Sequence, residues 1–575
     1  MDWFASRGST SRPSVATAVD ELAFEFEGET ISAAHGQSIA AALTAAGIRD
    51  LHIARNGDGR GLFCGMGVCQ DCLVLVDGEL RRACVTEVTG ARRIVRSPAA
   101  QSPAAGQSVS PIDAADVPVR TPDVLVVGGG AGGLLAAAAS AEAGAEVVLL
   151  DERARPGGQY FKQPAVHTKF RDDRQFAAGR ALVARAQRAG VQMHDHVEVW
   201  GAFAPRDITS LDADGCTIWR PRQLVLATGA YERALPVPGW TLPGVITTGA
   251  AQTLLRSYGV LPGRRVLLAG NGPLNLQVAV ELARHGAKVV AVAELAPSPG
   301  PRALNPLWRM AATPDLLRDG AMLLVGLRRR SIPVLYAHAM AGVERSGESL
   351  IVHLRSGDNY RGHERAFVVD AVCMGYGFLP SNELARALDC RHTYDAARGS
   401  LVTERNDNFE TSATGVFAVG DCCGLGGARA AMEEGLIAGT AAAAAVGRTI
   451  SAELKSECAA ARRRLRAHRR FQDGLWRLFA APRLQTELAT PETLICRCEC
   501  VTLAQVEAAL ADGTPSLGEM KRRTRLGMGS CQGRNCMPIA ATMLARQQGR
   551  ALDEFSFFAP RLPVKPIGIG ALSRR

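Results

Sequence analysis

The sequence predicts a two-lobed α/β protein with parallel sheets, carrying a small cysteine-bearing unit near each end. Three observations predict it. An apolar strand, a glycine turn, an alanine-rich helix and a second apolar strand follow one another in "DVLVVGGGAGGLLAAAASAEAGAEVVLLD", 123–151. The same order recurs in "RRVLLAGNGPLNLQVAVELARHGAKVVAVAEL", 264–295. Near-continuous apolar strands joined through helices describe sheets covered on both faces, which means parallel pairing. Third, four cysteines crowd into 64–84 and five more fall within 496–536.

Each unit has its own local signals. In 18–98, "FEFEGETI" alternates as a strand, "SIAAALTAAGI" reads as a helix and "LVLVDG" as a strand with its turn. Residues 99–120 are rich in Ala, Ser and Pro and predict a linker. The first dinucleotide-binding domain takes 121–250 and 371–450, with a second inserted as 251–370. A helical connector, 451–490, leads to a last unit, 491–555, and a Pro-punctuated extended tail, 556–575. The Ala-rich stretch 438–447 reads as a packed helix.

Composition excludes some functions. With 47% hydrophobic and 21% charged residues in 575, the chain is globular, with several cores. The formal charge is +10, and the densest basic run is "ARRRLRAHRR", 461–470. No nucleic-acid-binding motif accompanies it. It predicts the solvated face of a helix with Leu465, Phe471, Leu475, Leu478 and Phe479 turned inward, and no nucleic-acid partner. The N-terminal residues lack the apolar core and cleavage site of a signal peptide, and no apolar run reaches spanning length. The expected location is the cytosol, or the periphery of the inner membrane. Thiols stay reduced in the cytosol, so clustered cysteines point to metal before disulfide.

Gly128, Gly130 and Gly133 form G-x-G-x-x-G directly after an apolar strand. The first glycine permits the turn, the second admits a pyrophosphate to the backbone, and the third lets helix and strand close up. Asp151 ends the next strand, 23 residues after Gly128, where a carboxylate accepts from ribose hydroxyls. In the second module Gly270 and Gly272 fit, but Asn275 holds the third glycine position, which predicts looser packing. Glu294 ends its second strand and would repel a 2′-phosphate, favouring NAD over NADP. That module is either an NAD-type site or a fold unit that holds nothing.

Cys64, Cys69, Cys72 and Cys84 give C-x4-C-x2-C-x11-C, the plant-type [2Fe–2S] spacing for the first three ligands. Gly65 and Gly67 let the loop wrap a cluster and aim N–H groups at its sulfides; zinc is the alternative. Cys496, Cys498, Cys531 and Cys536 give C-x-C-x32-C-x4-C, which spacing alone would equally allow as a zinc ribbon. Cys500 is an extra thiol; Cys390 and Cys458 stand alone and read as structural.

These residues carry resemblances. "ATGAYERALPVPGW" (227–240) and "TSATGVFAVGDCCG" (411–424) resemble two further signatures of two-dinucleotide-domain flavoprotein oxidoreductases. The resemblance implies FAD held by Gly128, Gly130, Gly133 and Asp151, with Gly158, Gln159, Thr228 and Gly229 alongside. It places Gly420 and Asp421 on the flavin side, with Asp421 taking a ribityl hydroxyl. Disulfide reductases of that superfamily carry C-x-x-C or C-x-x-x-x-C beside the flavin. Here Cys422 and Cys423 are adjacent and read as small buried residues, so electrons need a route other than a dithiol. The segment around Cys64–Cys84 resembles the small ferredoxin-like β-grasp domain of molybdenum hydroxylases and multi-subunit amine oxidases. "ICRCECVT…GSCQGRNC" resembles the helical bacterioferritin-associated-ferredoxin-like domain, implying a second [2Fe–2S] cluster.

The combination resembles the alpha-type subunits of hetero-oligomeric FAD-dependent dehydrogenases and oxidases of amino and imino acids, with the ferredoxin-like domain fused in front. That implies a partner flavoprotein of the amino-acid-oxidase type that oxidises a C–N bond, and an acceptor such as a quinone or a redox protein. Two other readings stay open: a self-sufficient NAD(P)H-dependent reductase, and a structural nucleotide-binding scaffold. No His, Lys or Tyr sits in a recognisable general-base context, so no acid–base residue is assigned.

Overall fold

The computed structural model describes residues 21–98, 117–166, 173–357, 360 and 362–568. The first twenty residues and most of the expected linker lie outside them.

Two hairpins start the chain's first sheet. Glu27-Gly28 and Asp77-Gly78 all have positive φ, as the two-residue turns that match strand twist require. They join Glu21–Phe26 to Glu29–Ala34 and Leu73–Val76 to Glu79–Arg82. Arg93–Arg96 runs between the hairpins, parallel to the first strand, and completes five strands. The helix Ile39–Ala45 packs beneath, its first turn capped by the Ser38 hydroxyl, which accepts from Ala41 N at 3.3 Å. This is the expected β-grasp arrangement.

The first dinucleotide-binding domain has a five-stranded parallel sheet in which Val124–Val127 lies between Val147–Leu150 and Gln223–Leu226. All four residues of Val124–Val127 are buried, so the apolar run fits a strand covered on both faces. The helix Ala131–Glu142 lies on one face and meets Ala428–Ala445 at glycines. A Cβ on Gly435 would lie 2.1 Å from the Gly132 carbonyl oxygen, and one on Gly439 2.2 Å from that of Ala136. Only hydrogen fits between these backbones.

The second parallel sheet orders its strands Val245–Thr247, Ala371–Gly375, Arg265–Gly270, Lys288–Glu294 and Val334–Tyr336. Two of these strands fall outside the 251–370 expected for this domain. Val245–Thr247 and Ala371–Gly375 are fully buried and join the second sheet, so the domain edge moves outward at both ends. Glu294 stands 24 residues after Gly270, one more than the spacing from Gly128 to Asp151. The pairing register slips between Val266 and Leu267, where two steps on the second strand face one on the first. The bulge absorbs the extra residue and leaves the carboxylate in the equivalent place.

The connector is the helix Ala452–Leu478. Leu465 and Phe471 are buried, and the basic run meets acids of the chain itself. Arg464 pairs with Glu433 at 2.7 Å and Arg469 with Glu434 at 3.3 Å. The last unit is a short hairpin, Leu494–Cys496 with Val501–Thr502, and the helices Leu503–Ala511, Leu517–Thr524 and Met537–Gln547.

The linker's C-terminal edge changes too. Val119–Arg120, assigned to the linker, pairs in parallel with Ile218–Trp219 as an edge strand. The tail does not run free. Val564 is buried, its N–H donates to Trp200 O at 2.7 Å, and Lys565 pairs with Glu152. The N-terminal unit is also no separate bead. Its core continues into the helix Thr248–Tyr258, and a Cβ on Gly65 would lie 2.9 Å from Ala250 Cα.

Gly439→Val forces two methyls between the helices Ala131–Glu142 and Ala428–Ala445. Overpacking of this kind lowers stability by about 1–3 kcal/mol, read as a lower urea midpoint with unchanged m.

Candidate functional site

Gly128 and Gly133 of the first loop are required by contact. Gly128 has φ +106°, and a Cβ there would sit 2.4 Å from Ala227 O; one on Gly133 would sit 1.9 Å from Gly128 O. A Cβ on Gly158 would sit 2.7 Å from Gly130 Cα, so the Gly157–Gln159 turn closes directly over the loop. Gly157 N donates to Gly129 O at 2.8 Å. Asp151 organises the loop from the other side. Its Oδ2 accepts from Gly129 N at 2.5 Å and its Oδ1 from Arg153 N at 2.8 Å. Burial pushes its carboxyl upward, opposed by those same donors.

At the carboxyl end of the same sheet Thr228 Oγ1 donates to Ser381 O at 2.6 Å. Gly229 and Gly420 both take φ +73°. Gly420 N donates to Glu434 Oε2 at 2.9 Å. Asp421 Oδ1 accepts from Gly426 N at 2.9 Å and Gly427 N at 2.8 Å, which places a carboxylate at the start of the helix Ala428–Ala445. The glycine loop, Asp151, the covering turn and Asp421 thus all stand at the strand ends of one parallel sheet, and residues of this kind could hold a dinucleotide flavin.

The second site repeats the plan with a difference. Glu294 Oε2 accepts from Gly272 N at 3.0 Å, while Oε1 accepts from Asn271 Nδ2 at 2.9 Å and Ala296 N at 2.8 Å. The residue is 0% exposed, and burial pushes its carboxyl up to about 7. Asn271 Nδ2 also donates to Phe479 O at 3.0 Å, so the connector is tied to the loop itself. Packing at the third glycine position is not loose. Asn275 is buried, its Nδ2 donates to Gly375 O at 3.0 Å and its Oδ1 accepts from Thr248 Oγ1 at 2.7 Å. A polar bolt replaces the close contact that glycine would allow.

The N-terminal thiols converge. Cys64 lies in hydrogen-bond contact with Cys69 and Cys84, and Cys84 also with Cys72. Cys84 Sγ accepts from Gly67 N at 3.3 Å and Cys64 Sγ from Cys69 N at 3.4 Å. The C-terminal thiols form two pairs, Cys496 with Cys536 and Cys498 with Cys531. Backbone N–H groups of Gly527 and Glu499 point at Cys496, and those of Gly533 and Asn535 at Cys531. Among the described residues no three ligating side chains surround one metal position. A [2Fe–2S] rhomb asks for two thiolates at each of two irons, and paired thiols with N–H donors fit it better than a single tetrahedral ion. Cys500 stays apart from both pairs, its Sγ donating to Arg497 O at 3.7 Å.

Sequence reading missed two residues where the N-terminal domain, the Gly157–Gln159 turn and the helix Thr248–Tyr258 meet. Lys162 Nζ donates to Gln159 O at 2.7 Å and Gln252 Oε1 at 2.8 Å. Burial, then Arg153 and Arg256, push it down to about 7. Glu232 Oε2 accepts from Gly249 N at 2.7 Å, and burial pushes its carboxyl up to about 7. Both titrate near neutrality, so either can hold or move a proton there. No motif or spacing marks them; only burial does.

The profile of the pyridine nucleotide-disulphide oxidoreductase family matches residues 122–435, more than half of the chain. The chain belongs to that family. This family member carries two further matches, a 2Fe-2S iron-sulfur cluster binding domain at 19–97 and a sarcosine oxidase A3 domain at 490–574. It is 32% identical to an opine oxidase subunit of Rhizobium meliloti (strain 1021), over 78% of this chain and 98% of that one. It is 32% identical to the HcnB subunit of hydrogen cyanide synthase from Pseudomonas aeruginosa, over 78% and 97%. It is 25% identical to the alpha subunit of sarcosine oxidase from Corynebacterium sp. (strain P-1), over 79% of this chain and 45% of that one. The L-proline dehydrogenase structure from P. horikoshii shares the fold, with a TM-score of 0.70 and 19% identity over 97% and 98% of the two chains. The chain is therefore an FAD-dependent oxidoreductase of alpha-subunit type with a fused 2Fe-2S domain. It departs from the dithiol members of the family. Cys422 and Cys423 are buried free thiols 3.5 Å apart. Among the described residues no helix is long and apolar enough to cross a membrane.

A Cβ on Gly529 would lie 2.2 Å from Cys498 Cβ. If the C-terminal set also holds a [2Fe–2S] cluster, Gly529→Val is expected to block it alone and to halve bound iron, from about four to about two per chain, as measured by iron analysis with the N-terminal visible absorbance retained.

Proposed function

We propose that this chain is the electron-transferring subunit of a hetero-oligomeric dehydrogenase or oxidase acting on the C–N bond of an amino or imino acid. Opine and sarcosine substrates match the printed names of its relatives, and proline that of its fold neighbour; hydroxyproline and glycine belong to the same amino- and imino-acid class. C–N oxidation itself falls to a partner flavoprotein of the amino-acid-oxidase type, and the electrons go on to a quinone or a redox protein. FAD, when bound, takes two electrons and returns them singly, whereas each [2Fe–2S] cluster carries one.

The observation that carries this reading is a shared cavity. Gly65 and Cys84 of the first cysteine set line it, together with Gly158 of the turn over the first nucleotide loop and Lys162 just after it. The chain's own residues orient the two sites toward each other there, and Lys162 supplies a proton-holding group at their junction. This shared lining supports an exit that needs no dithiol.

The NADH-reductase reading requires a second site ready for a nucleotide. The Glu294 carboxylate already accepts from three donors of its own chain, and Asn271 is tied to Phe479. Both weigh against it.

Dithionite-reduced protein is expected to give two distinguishable [2Fe–2S] EPR signals, Cys69→Ser removing one and Cys531→Ser the other. Stoichiometric zinc with iron near zero would sink the cluster assignment. NADH mixed with the isolated chain should leave the flavin absorbance unbleached, whereas the co-purified complex should bleach on addition of its amino or imino acid. Rapid bleaching by NADH would instead establish the reductase.

A further inference from the structure

The residue between two ligands of one cysteine set touches the residue between two ligands of the other. Asp71 stands between Cys69 and Cys72, and Arg497 between Cys496 and Cys498. Arg497 Nε donates to Asp71 Oδ2, and the two side chains are 2% and 5% exposed. Nη1 of the same guanidinium donates to Trp240 O at 2.9 Å. Its plane is held by two rings, Phe63 at 3.9 Å and Trp240 at 4.6 Å from their centroids. Phe63 immediately precedes Cys64, and Trp240 Nε1 donates to Leu494 O at 2.8 Å, two residues before Cys496.

The surrounding contacts repeat the theme. Glu499 of the C-terminal set pairs with Arg55 at 3.4 Å, and the buried Arg60 brings Nη2 within 4.0 Å of Cys500 Sγ. A buried ion pair is poor stabilisation compared with apolar packing of the same volume, because both charges must be desolvated. What it provides is one geometry. Its donors and acceptor must meet at fixed angles, and arginine's planar fork between two rings leaves little play.

We propose that the Asp71–Arg497 pair locks the two cysteine sets together as one electron-exchange unit, so that electrons pass directly between the N-terminal and C-terminal iron–sulfur sites without returning to the flavin crevice. This rests on both sets holding [2Fe–2S] clusters. The exchange moves one electron, oxidising one site as the other is reduced; no bond changes and no proton moves. Asp71 and Arg497 are positioning residues. Tunnelling falls off exponentially with separation, so holding the loops in contact governs the rate.

EPR of the fully reduced whole protein tests this directly. The wild type should show spin–spin splitting or broadening of both signals, lost from the remaining signal in Cys531→Ser. Arg497→Lys keeps the charge but not the stacked fork; it should retain both clusters by iron content, weaken the splitting, and slow equilibration between the sites at least about tenfold in freeze-quench experiments. If a single change prevents folding, the double variant Asp71→Leu with Arg497→Met removes both charges together and serves as the comparison. Absence of one cluster would fail the cofactor reading itself. Two clusters with no magnetic interaction in the wild type would overturn the direct pair while leaving that reading intact. An unchanged splitting and rate in the variants would overturn the role of Asp71 and Arg497.

Discussion

At Gly133 a Cβ would stand 1.9 Å from a carbonyl oxygen, at Gly435 2.1 Å, and at Gly529 2.2 Å from another Cβ. Backbone approached more closely than any side chain would allow is what each site here depends on. The nucleotide loop can present its N–H groups only because strand and helix close up at Gly133. The helix Ala428–Ala445 can bring Asp421 to the crevice only because Gly435 and Gly439 let it lie flat on its neighbour. At Gly65 the cysteine loop of the N-terminal domain comes close against the helix Thr248–Tyr258. Glycine's conformational entropy makes such positions costly in isolation, so their number in this chain tracks the number of close approaches it needs.

Charge does the complementary work between domains. Arg82 joins the N-terminal domain to Glu198 of the first dinucleotide-binding domain at 2.8 Å. Arg534 of the last unit reaches Glu383 at 3.1 Å, Lys565 of the tail reaches Glu152, and Asp71 meets Arg497. These pairs are partly or wholly out of water, so breaking one by removing a single partner costs about 3–5 kcal/mol where burial is complete. A basic excess of ten charges is thereby distributed inward as well as outward. Within the run 461–470, Arg464 and Arg469 pair with Glu433 and Glu434 while their side chains stay about half exposed.

The two nucleotide modules share a plan but not a state. Both place a strand-end carboxylate on the loop amides. In the first, the covering turn Gly157–Gln159 leads on to Lys162 and to the cavity beside Cys84. In the second, the connector occupies the flank, and the carboxylate is desolvated to the point of titrating near 7.

Much was legible from local sequence. Ligand spacing within 64–84 and 496–536, the loops at 128–133 and 270–272, and the turns at Glu27-Gly28 and Asp77-Gly78 are each set by a few adjacent residues, so their geometry follows from the residues themselves. Domain edges were less so, because Val245–Thr247 and Ala371–Gly375 are apolar on both faces and either sheet could have taken them. The register bulge, the Asn275 bolt and the near-neutral Lys162 and Glu232 required the packed interior, since burial and partners produce them. Asp71 and Arg497 lie 426 residues apart. Each cysteine set was determined by its own loop; that the two loops touch was decided only by the tertiary structure, because an ion pair across that separation forms only after every intervening domain has taken its place.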